Sequence, residues 1–219
     1  MFSALAGFIA GLFHVFSGPD HLAAIAPLAL NRPGDSWRTG LRWGLGHTAG
    51  VMGVGLISIL FRQLLPLEII SSWSERLVGV LLIAIGFWGL RKAAQIHSHE
   101  HRHHGEAHTH LHAHPRSQNH RPPAHRHGHA AFGIGTLHGL AGGSHFLGIL
   151  PALAFPTLSG ALLYLAMFGL GTILAMSFFS SAVGYISARC STGGEGVVRV
   201  LMAASSVTAS MVGIFWLAS

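Results

Sequence analysis

The sequence predicts an all-α integral membrane protein of about six transmembrane helices, arranged as two inverted three-helix repeats with broken first helices. Three observations lead to this prediction: few charged residues, several long uncharged windows, and an internal repeat. The chain has 219 residues, of which 13 are Lys or Arg and 7 are Asp or Glu. Soluble domains contain about a quarter charged residues, so a surface this poor in charge could not face water on every side.

The uncharged windows give the positions of the helices. A helix needs about 20 mainly apolar residues to cross a bilayer, and several windows reach or approach that length. Among those without any charged residue are Gly44–Phe61, Leu77–Leu90, Phe155–Ala188 and Val200–Ser219. We predict helices at about 2–30, 39–61, 74–91, 131–155, 158–187 and 197–217. The corresponding domains are a first three-helix repeat over 1–94, a histidine-rich cytoplasmic loop over 95–130, and a second three-helix repeat over 131–219.

The charge pattern excludes nucleic acid as a partner and predicts the orientation. The net charge is +6, but the basic residues stand singly at helix ends or in the histidine-rich loop and form no basic face. Most Arg and Lys near helix ends lie on one side of the predicted topology, and only Arg62 and Arg76 lie on the other. The positive-inside rule therefore places the loop in the cytoplasm and both termini outside. No basic residue precedes Arg32, so we expect the first helix to be retained rather than cleaved as a signal peptide.

An internal repeat relates the two halves of the chain. Gly11–Pro27 aligns without gaps on Gly135–Pro151, at an offset of 124. At an offset of 125, Trp43–His47 aligns on Phe168–Thr172. Each half has three predicted helices, an odd number, so the halves must have opposite orientations in the bilayer. Inverted repeats of this kind occur in secondary transporters, which bind substrate near the midplane, often on broken helices.

Five histidines and one aspartate lie inside the predicted helices and are candidate metal ligands. They are His14, Asp20, His21, His47, His138 and His145. An Asp at the centre of a bilayer costs about 2.5–3.5 kcal/mol on insertion scales, so it usually faces a partner or a polar cavity. Imidazole with one carboxylate suits Ni²⁺, Co²⁺, Zn²⁺ or Cu²⁺ better than Mg²⁺ or Ca²⁺. Other roles stay open: a structural hydrogen bond for each histidine, and a helix cap or a proton relay for Asp20.

The spacing of His14 and His21 predicts a break in the first helix. Seven residues place the two side chains on one face of a straight helix but about 10 Å apart, which is too far to share one ion. Pro19 removes a backbone hydrogen bond and lets the chain fold back. We expect Gly142–Gly143 to serve the same purpose in the second half, where Ser144 replaces Asp20.

These residues also resemble the motifs of a known family. Gly18–Ala24, with His14 upstream, resembles the metal motif of the nickel/cobalt transporter superfamily, and Leu45–Thr48 is similar to the Gly-His-Ser/Thr element of the family's next helix. The resemblance is strongest to the six-helix branch, the urease-accessory (UreH-type) membrane proteins and related plastid proteins. A histidine-rich loop between two three-helix halves is also similar to the family's nickel/cobalt efflux members.

The resemblance implies transport of Ni²⁺ or Co²⁺. The positions that match the metal motif are His14, Asp20, His21 and His47. The sequence departs from the better-known uptake permeases, which have eight helices and space the motif His-x4-Asp-His, because five residues separate His14 from Asp20 here. Substrate identity and direction of transport therefore stay open.

The central loop is a second candidate metal-binding region. Neutral imidazole is the commonest metal ligand, and a flexible loop rich in it can bind several ions without fixed geometry. The histidines to which we assign this weaker metal capture are His97, His99, His101, His103, His104, His108, His110, His112 and His114. The alternative is that the loop is dispensable for transport.

The sequence thus predicts a divalent transition-metal ion transporter rather than an enzyme. No resident cofactor is expected, and Zn²⁺ stays open beside Ni²⁺ and Co²⁺ as the transported ion. The expected partners are the lipid bilayer and the metal ion, and a homo-oligomer and a cytoplasmic metallochaperone stay open. Two alternatives are a metal-delivery accessory protein without transport, and an anion exporter of related topology, which would need Arg or Lys inside the helices. A disulfide carrier needs a cysteine pair, and Cys190 is the single cysteine.

Overall fold

The computed structural model describes residues 2–60, 67–103, 106–113, 128–141, 144–190 and 194–218. These residues form eight α-helices, a short 3-10 helix at Pro33–Asp35 and two β-strands. The helices of the first half are α1 (Phe2–Ser17), α2 (Pro19–Leu30), α3 (Ser36–Leu60) and α4 (Leu67–Gln95). The strands are β1 (Ile96–His103) and β2 (Glu106–Ala113). The helices of the second half are α5 (Gly128–Ala141), α6 (Ser144–Ala154), α7 (Leu158–Cys190) and α8 (Glu195–Ala218).

Several of these helices have the length and composition of membrane spans. Within the described residues, three qualify singly: Glu75–Gln95 of α4, Leu158–Cys190 of α7 and Gly196–Ala218 of α8. The pair α1 and α2 qualifies as a fourth, broken span. The protein is therefore an all-α integral membrane protein, as predicted. The number of six spans stays a prediction.

The outer surface is apolar, as a surface in contact with lipid must be. Large hydrophobic side chains are widely exposed on α1, α4, α7 and α8, among them Phe13, Phe87, Phe178 and Phe215. Soluble monomers rarely expose apolar patches of this extent. In a bilayer the same side chains contact acyl chains at no cost, which explains why the chain has so few charged residues.

The predicted break in the first helix is present. The helix stops at Ser17 and resumes at Pro19, and the axes of α1 and α2 differ by 72°. In the second half, α5 ends at Ala141 and α6 begins at Ser144, and residues 142–143 lie outside the described part of the chain. The predicted long helix 2–30 is therefore two helices in the structure, whereas the predicted break at Gly142–Gly143 stays a prediction.

Glycines let two pairs of helices pack at backbone distance. Gly7 and Gly11 of α1 lie against the backbone of α7, where a β-carbon would overlap the carbonyl oxygens of Tyr164 and Phe168. Gly135 of α5 lies in the same way against the carbonyl oxygen of Trp43 in α3. Small residues four apart allow such close approach of helices in membranes.

The two close contacts involve aligned positions of the internal repeat. The backbone neighbours of Gly11 are Phe168 and Thr172, and those of Gly135 are Trp43 and His47. Gly135 is Gly11 displaced by 124, and the partners in the two contacts are displaced from each other by 125. The alignment found in the sequence thus relates residues with the same packing environment.

Helix α4 is longer than predicted. It spans Leu67–Gln95, whereas the sequence predicted a helix at about 74–91 around the uncharged window Leu77–Leu90. Glu75, Arg76, Arg91 and Lys92 flank that window. Charged residues end the apolar part of a membrane helix, but the backbone hydrogen bonds continue beyond it into the polar layer.

The central segment, predicted as a flexible loop, contains a β-hairpin. Strands β1 and β2 pair antiparallel from Ile96 opposite Ala113 to His103 opposite Glu106. Ile96 is buried at the base of the hairpin in a cluster with Leu30 and Met202. Arg199 of α8 donates a hydrogen bond to the carbonyl oxygen of Ile96 at 2.7 Å. The alternating His-x-His pattern has the two-residue period of a strand, which the prediction of a flexible loop did not include.

Candidate metal-binding site

The site is built at the elbow between α1 and α2. Gly18 forms the elbow: its amide donates to the carbonyl oxygen of His14 at 3.1 Å, and its own carbonyl accepts from the amide of His21 at 3.1 Å. Pro19 then occupies the first turn of α2, where its missing N–H is not needed. A β-carbon at Gly18 would lie 2.5 Å from Nδ1 of His21 and 2.8 Å from Oδ1 of Asp20, so no larger residue fits without displacing the two side chains.

Asp20 is buried between two histidines. Only 1% of the residue is exposed. Oδ1 lies 3.1 Å from Nδ1 of His21, and Oδ2 lies 3.1 Å from Nε2 of His138 in α5. Because a carboxylate is only an acceptor, the imidazole N–H groups donate to it. Both oxygens are thus held by the two halves of the molecule, and the carboxylate has charge-assisted hydrogen bonds in a site that excludes water.

Asp20 does not cap α2. The residue before the helix is Gly18, and no side chain makes a capping hydrogen bond there. Both Asp20 oxygens point instead at imidazoles. The helix-cap alternative for this residue is therefore wrong, and the carboxylate belongs to the histidine cluster.

Two overlapping groups of metal-ligand atoms meet at this point. One group is His14, His21 and His47, and the other is Asp20, His21 and His138. Within each group the ligand atoms lie within 4.8 Å of one another. Zn–N bonds are about 2.0–2.1 Å long and structural zinc sites are tetrahedral, so neighbouring ligand atoms of one ion lie about 3.4 Å apart. Side-chain shifts of up to about an ångström would bring either group to that spacing.

Aromatic side chains enclose the cluster. The indole of Trp43 stacks on the imidazole of His47, with centroids 4.9 Å apart and an interplanar angle of 10°. On the other side, the Phe168 ring lies 5.2 Å from that of His14. Trp43, Phe168 and His47 are all fully or almost fully buried. The ligand atoms therefore lie in a water-poor pocket of low dielectric constant, where charge interactions are strong.

The structure brings together five of the six candidate ligands in the helices. His14, Asp20, His21, His47 and His138 converge, whereas the side chain of His145 lies outside the described part of the structure. His138 reaches Asp20 because α5 packs on α3 through Gly135. Sequence analysis assigned no role to Trp43 and Phe168, although the internal repeat aligned them and so marked them as a pair.

The second half lacks the complete set of ligands. Thr172 takes the position that aligns with His47, and its hydroxyl donates to the carbonyl oxygen of Phe168 at 3.0 Å, within its own helix. Ser144 stands where the first half has Asp20. The cluster is therefore built mainly by the first half, with His138 as the contribution of the second.

The hairpin places further histidines opposite one another on its two strands. Three cross-strand pairs join histidine to histidine: His97 with His112, His99 with His110, and His101 with His108. His103 is opposite Glu106. His104 and His114, which were also assigned to metal capture, lie outside the described residues.

The fold and the site together define the class of this protein. It is a helical membrane protein with a buried cluster of histidines and one aspartate. The family model described as the cytochrome c biogenesis protein transmembrane region matches residues 3–215. The chain therefore belongs to this family. No solved structure matches it.

Three curated proteins are relatives. Chloroplast protein FOR GROWTH AND FERTILITY 1 of Arabidopsis thaliana is 35% identical over 84% of this chain and 50% of its own length. Chloroplast protein FOR GROWTH AND FERTILITY 2 of the same plant is 33% identical over 97% of this chain and 55% of its own length. The chain thus spans about half the length of both. The urease accessory protein UreH of Bacillus sp. (strain TB-90) is 30% identical over 81% of this chain and 74% of its own length.

These relationships refine the resemblance found in the sequence. The relationship to UreH confirms its urease-accessory part, and transport of nickel or cobalt stays a prediction. The disulfide-carrier alternative considered from the sequence needs two cysteines, and Cys190 is the single cysteine of this sequence.

Proposed function

We propose that this protein moves a divalent transition-metal ion, Ni²⁺ or Co²⁺, through the bilayer by way of the buried histidine cluster. The observation that carries the proposal is the presence of two overlapping groups of ligand atoms from α1, α2, α3 and α5, which share the buried His21. An isolated membrane histidine needs only one hydrogen bond from a neighbouring helix. Five ligand-type side chains in contact, one of them a carboxylate, are expensive to bury unless they bind something.

The ligand set favours a transition metal over Mg²⁺ or Ca²⁺. Imidazole nitrogen suits nickel, cobalt, zinc and copper, whereas magnesium and calcium prefer cages of oxygen ligands. A single carboxylate offsets only half the charge of a dication. Such partial compensation suits a site that must also release its ion, because transport requires binding that is weak enough to leave.

The internal repeat supports a transporter. We propose that the two halves are inverted repeats, with the histidine loop in the cytoplasm and both termini outside. Equivalent glycine contacts of α1 with α7 and of α5 with α3 support this arrangement. Inverted repeats with a central site on broken helices let one half rock against the other, which opens the site to each side in turn.

Uptake into vesicles tests the proposal. The purified full-length protein is reconstituted, and accumulation of Ni²⁺, Co²⁺, Zn²⁺ and Mn²⁺ is compared with empty vesicles. We expect Ni²⁺ and Co²⁺ to accumulate fastest. His21→Gln, which alters the residue shared by both ligand groups, should reduce uptake by about 10–100-fold or more, because even changes around metal ligands have effects of that size.

His129→Gln is the matched control for this variant. His129 lies in α5 and is exposed, so its substitution removes an imidazole without touching the cluster. Uptake should stay at the wild-type level. Wild-type uptake by a folded, monodisperse His21→Gln protein would contradict the proposal, and so would wild-type vesicles no faster than empty ones.

A metal-delivery accessory role is the second candidate, because one relative is named a urease accessory protein. In that role the cluster would bind the ion and pass it to another protein without moving it across the bilayer. The same vesicles distinguish the two roles. Binding of Ni²⁺ that depends on His21, without accumulation inside the vesicle, would favour the accessory.

We also propose that the hairpin captures metal ions near the membrane surface. Its backbone register pairs histidine with histidine at three positions across the two strands. Several imidazoles in one short segment would raise the local concentration of ions near the protein. The hairpin is not part of the central site in this proposal.

A further inference from the structure

A cavity of about 500 Å³ lies between α2, α3, α4 and α5. It lies where several helices end: the last residues of α2, the start of α3, the end of α4 and the start of α5 line it. None of the proposed metal ligands lines this cavity. Its chemistry therefore needs its own explanation.

Three basic side chains surround the cavity. Arg32 follows α2, Arg42 belongs to α3, and Lys92 lies in the last turn of α4. No acidic residue is among the described residues that line it. Basic side chains that line one cavity offer several N–H donors and positive charge to an anion bound there. Arginine in particular forms paired hydrogen bonds with phosphate oxygens.

Apart from Asn31 and Thr39, the rest of the lining is apolar. Leu81, Trp88 and Lys92 recur on α4 at spacings that place them on one face of the helix. Eleven residues of α-helix span about 16 Å, so the apolar wall runs from the basic end deep into the membrane part of α4. Ile134 of α5 continues this wall on the opposite side.

We propose that this cavity binds an anionic phospholipid of the surrounding bilayer, with the phosphate among the three basic side chains and an acyl chain along α4. Basic pockets between membrane helices bind anionic lipid headgroups in this way. A free phosphate shares the headgroup chemistry but would leave the apolar wall uncovered. A hydrated metal dication is a poor occupant, because three positive charges would surround it.

Thermal unfolding of the purified full-length protein in detergent tests the proposal. Phosphatidylglycerol, phosphatidylcholine and inorganic phosphate are added in separate series. We expect phosphatidylglycerol to raise the unfolding midpoint by about 5 °C when it is present at about 100 times its Kd. The other two compounds should raise it by less than about 1 °C, because each lacks either the net charge or the acyl chain.

Paired charge substitutions locate the effect. The double variant Arg42→Gln/Lys92→Gln removes two of the basic groups that line the cavity and should lose most of the shift. The control Arg38→Gln/Arg91→Gln makes the same change of charge on the same two helices, at exposed residues that do not line the cavity. It should keep the wild-type shift.

Each other result overturns the proposal. An equal shift with phosphatidylcholine would show that the anionic headgroup is not recognised, and an equal shift with inorganic phosphate would assign the site to a free anion. If both double variants lost the midpoint shift equally, the shift would reflect a general effect of surface charge. If the cavity variant does not fold, native mass spectrometry of the wild type decides: preferential retention of phosphatidylglycerol over phosphatidylcholine supports the proposal, and equal retention refutes it.

Discussion

At the elbow between α1 and α2 the chain has Asp20 and His21, whereas the aligned positions at the start of α6 are Ser144 and His145. The helices that precede these positions, α1 and α5, pack alike, since Gly11 contacts Phe168 as Gly135 contacts Trp43. Their chemistry differs, because the carboxylate occurs in one half only. Both halves thus share the close helix packing, while most of the candidate metal ligands lie in the first half.

Helices α3 and α7 differ in the same way: one carries a candidate ligand and the other does not. His47 on α3 joins the cluster, and the aligned Thr172 on α7 directs its hydroxyl to a backbone carbonyl of its own helix. The second half contributes His138, which holds one oxygen of Asp20. If this comparison is right, substitutions at aligned packing positions should have similar effects, and substitutions at aligned ligand positions should not.

Gly18→Ala should have the largest effect, because it alters the elbow itself. The new methyl group would meet His21 and Asp20 at distances that no real contact allows. We expect loss of metal uptake and destabilisation of about 1–3 kcal/mol, the usual cost of overpacking a buried site. Vesicle uptake and the thermal unfolding midpoint measure the two effects.

Gly133→Ala is the control for that substitution. Gly133 lies in α5, and a β-carbon there would meet nothing within 4 Å. Alanine in a helix is more stable than glycine by about 0.5–1 kcal/mol, so the variant should be equally or more stable and fully active. A comparable loss in Gly133→Ala would mean that the elbow is not special.

The pair Gly11→Ala and Gly135→Ala should give intermediate effects of similar size. Each β-carbon would overlap a backbone carbonyl oxygen of the facing helix. Because backbone cannot move aside as a side chain does, we expect each variant to lose about 1–3 kcal/mol of stability. Denaturation of both proteins under one condition measures this, and a large loss in only one of them would break the equivalence of the two helix pairs.

Substitutions in the hairpin should have the smallest effect, because this segment belongs to neither half. Replacing the histidines of the three cross-strand pairs with glutamine should leave uptake at saturating Ni²⁺ unchanged. The number of weakly bound metal ions per protein, measured by equilibrium dialysis, should fall. Loss of saturated uptake in this variant would place the hairpin on the transport path.

The sequence predicted the parts of the site that depend on local chemistry. Pro19 between two histidines seven residues apart predicted the break, and the structure has it. The contact of His138 with Asp20 could not be predicted, because it depends on how closely α5 approaches α3. That distance is set by Gly135 and the backbone facing it, and no local pattern specifies the partner of a glycine.

Two other features were missed for physical reasons that differ. The enclosing role of Trp43 depends on the stacking of its ring on His47, and an aromatic residue in an apolar helix is ordinarily part of the core or of the lipid-facing surface. The hairpin was missed because composition was given more weight than alternation. Its base is fixed by Ile96 and Arg199, a contact between residues far apart in sequence.

The central claim is that the carboxylate of Asp20 binds the transported ion, and Asp20→Asn tests it most directly. Asparagine has nearly the same size and keeps an oxygen that can accept a hydrogen bond, so the protein should insert and remain monodisperse. Asp35→Asn is the control, because Asp35 is an exposed carboxylate paired with Arg38.

The measurement is Ni²⁺ uptake by vesicles that contain equal amounts of wild-type, Asp20→Asn or Asp35→Asn protein. Removing one partner of a buried charge pair costs about 2–5 kcal/mol, which corresponds to a decrease of roughly 30-fold to several thousand-fold. We expect a decrease in this range for Asp20→Asn and none for Asp35→Asn. Wild-type uptake by a folded Asp20→Asn protein would contradict the account, since Asp20 would then be a structural hydrogen-bond acceptor and not a ligand.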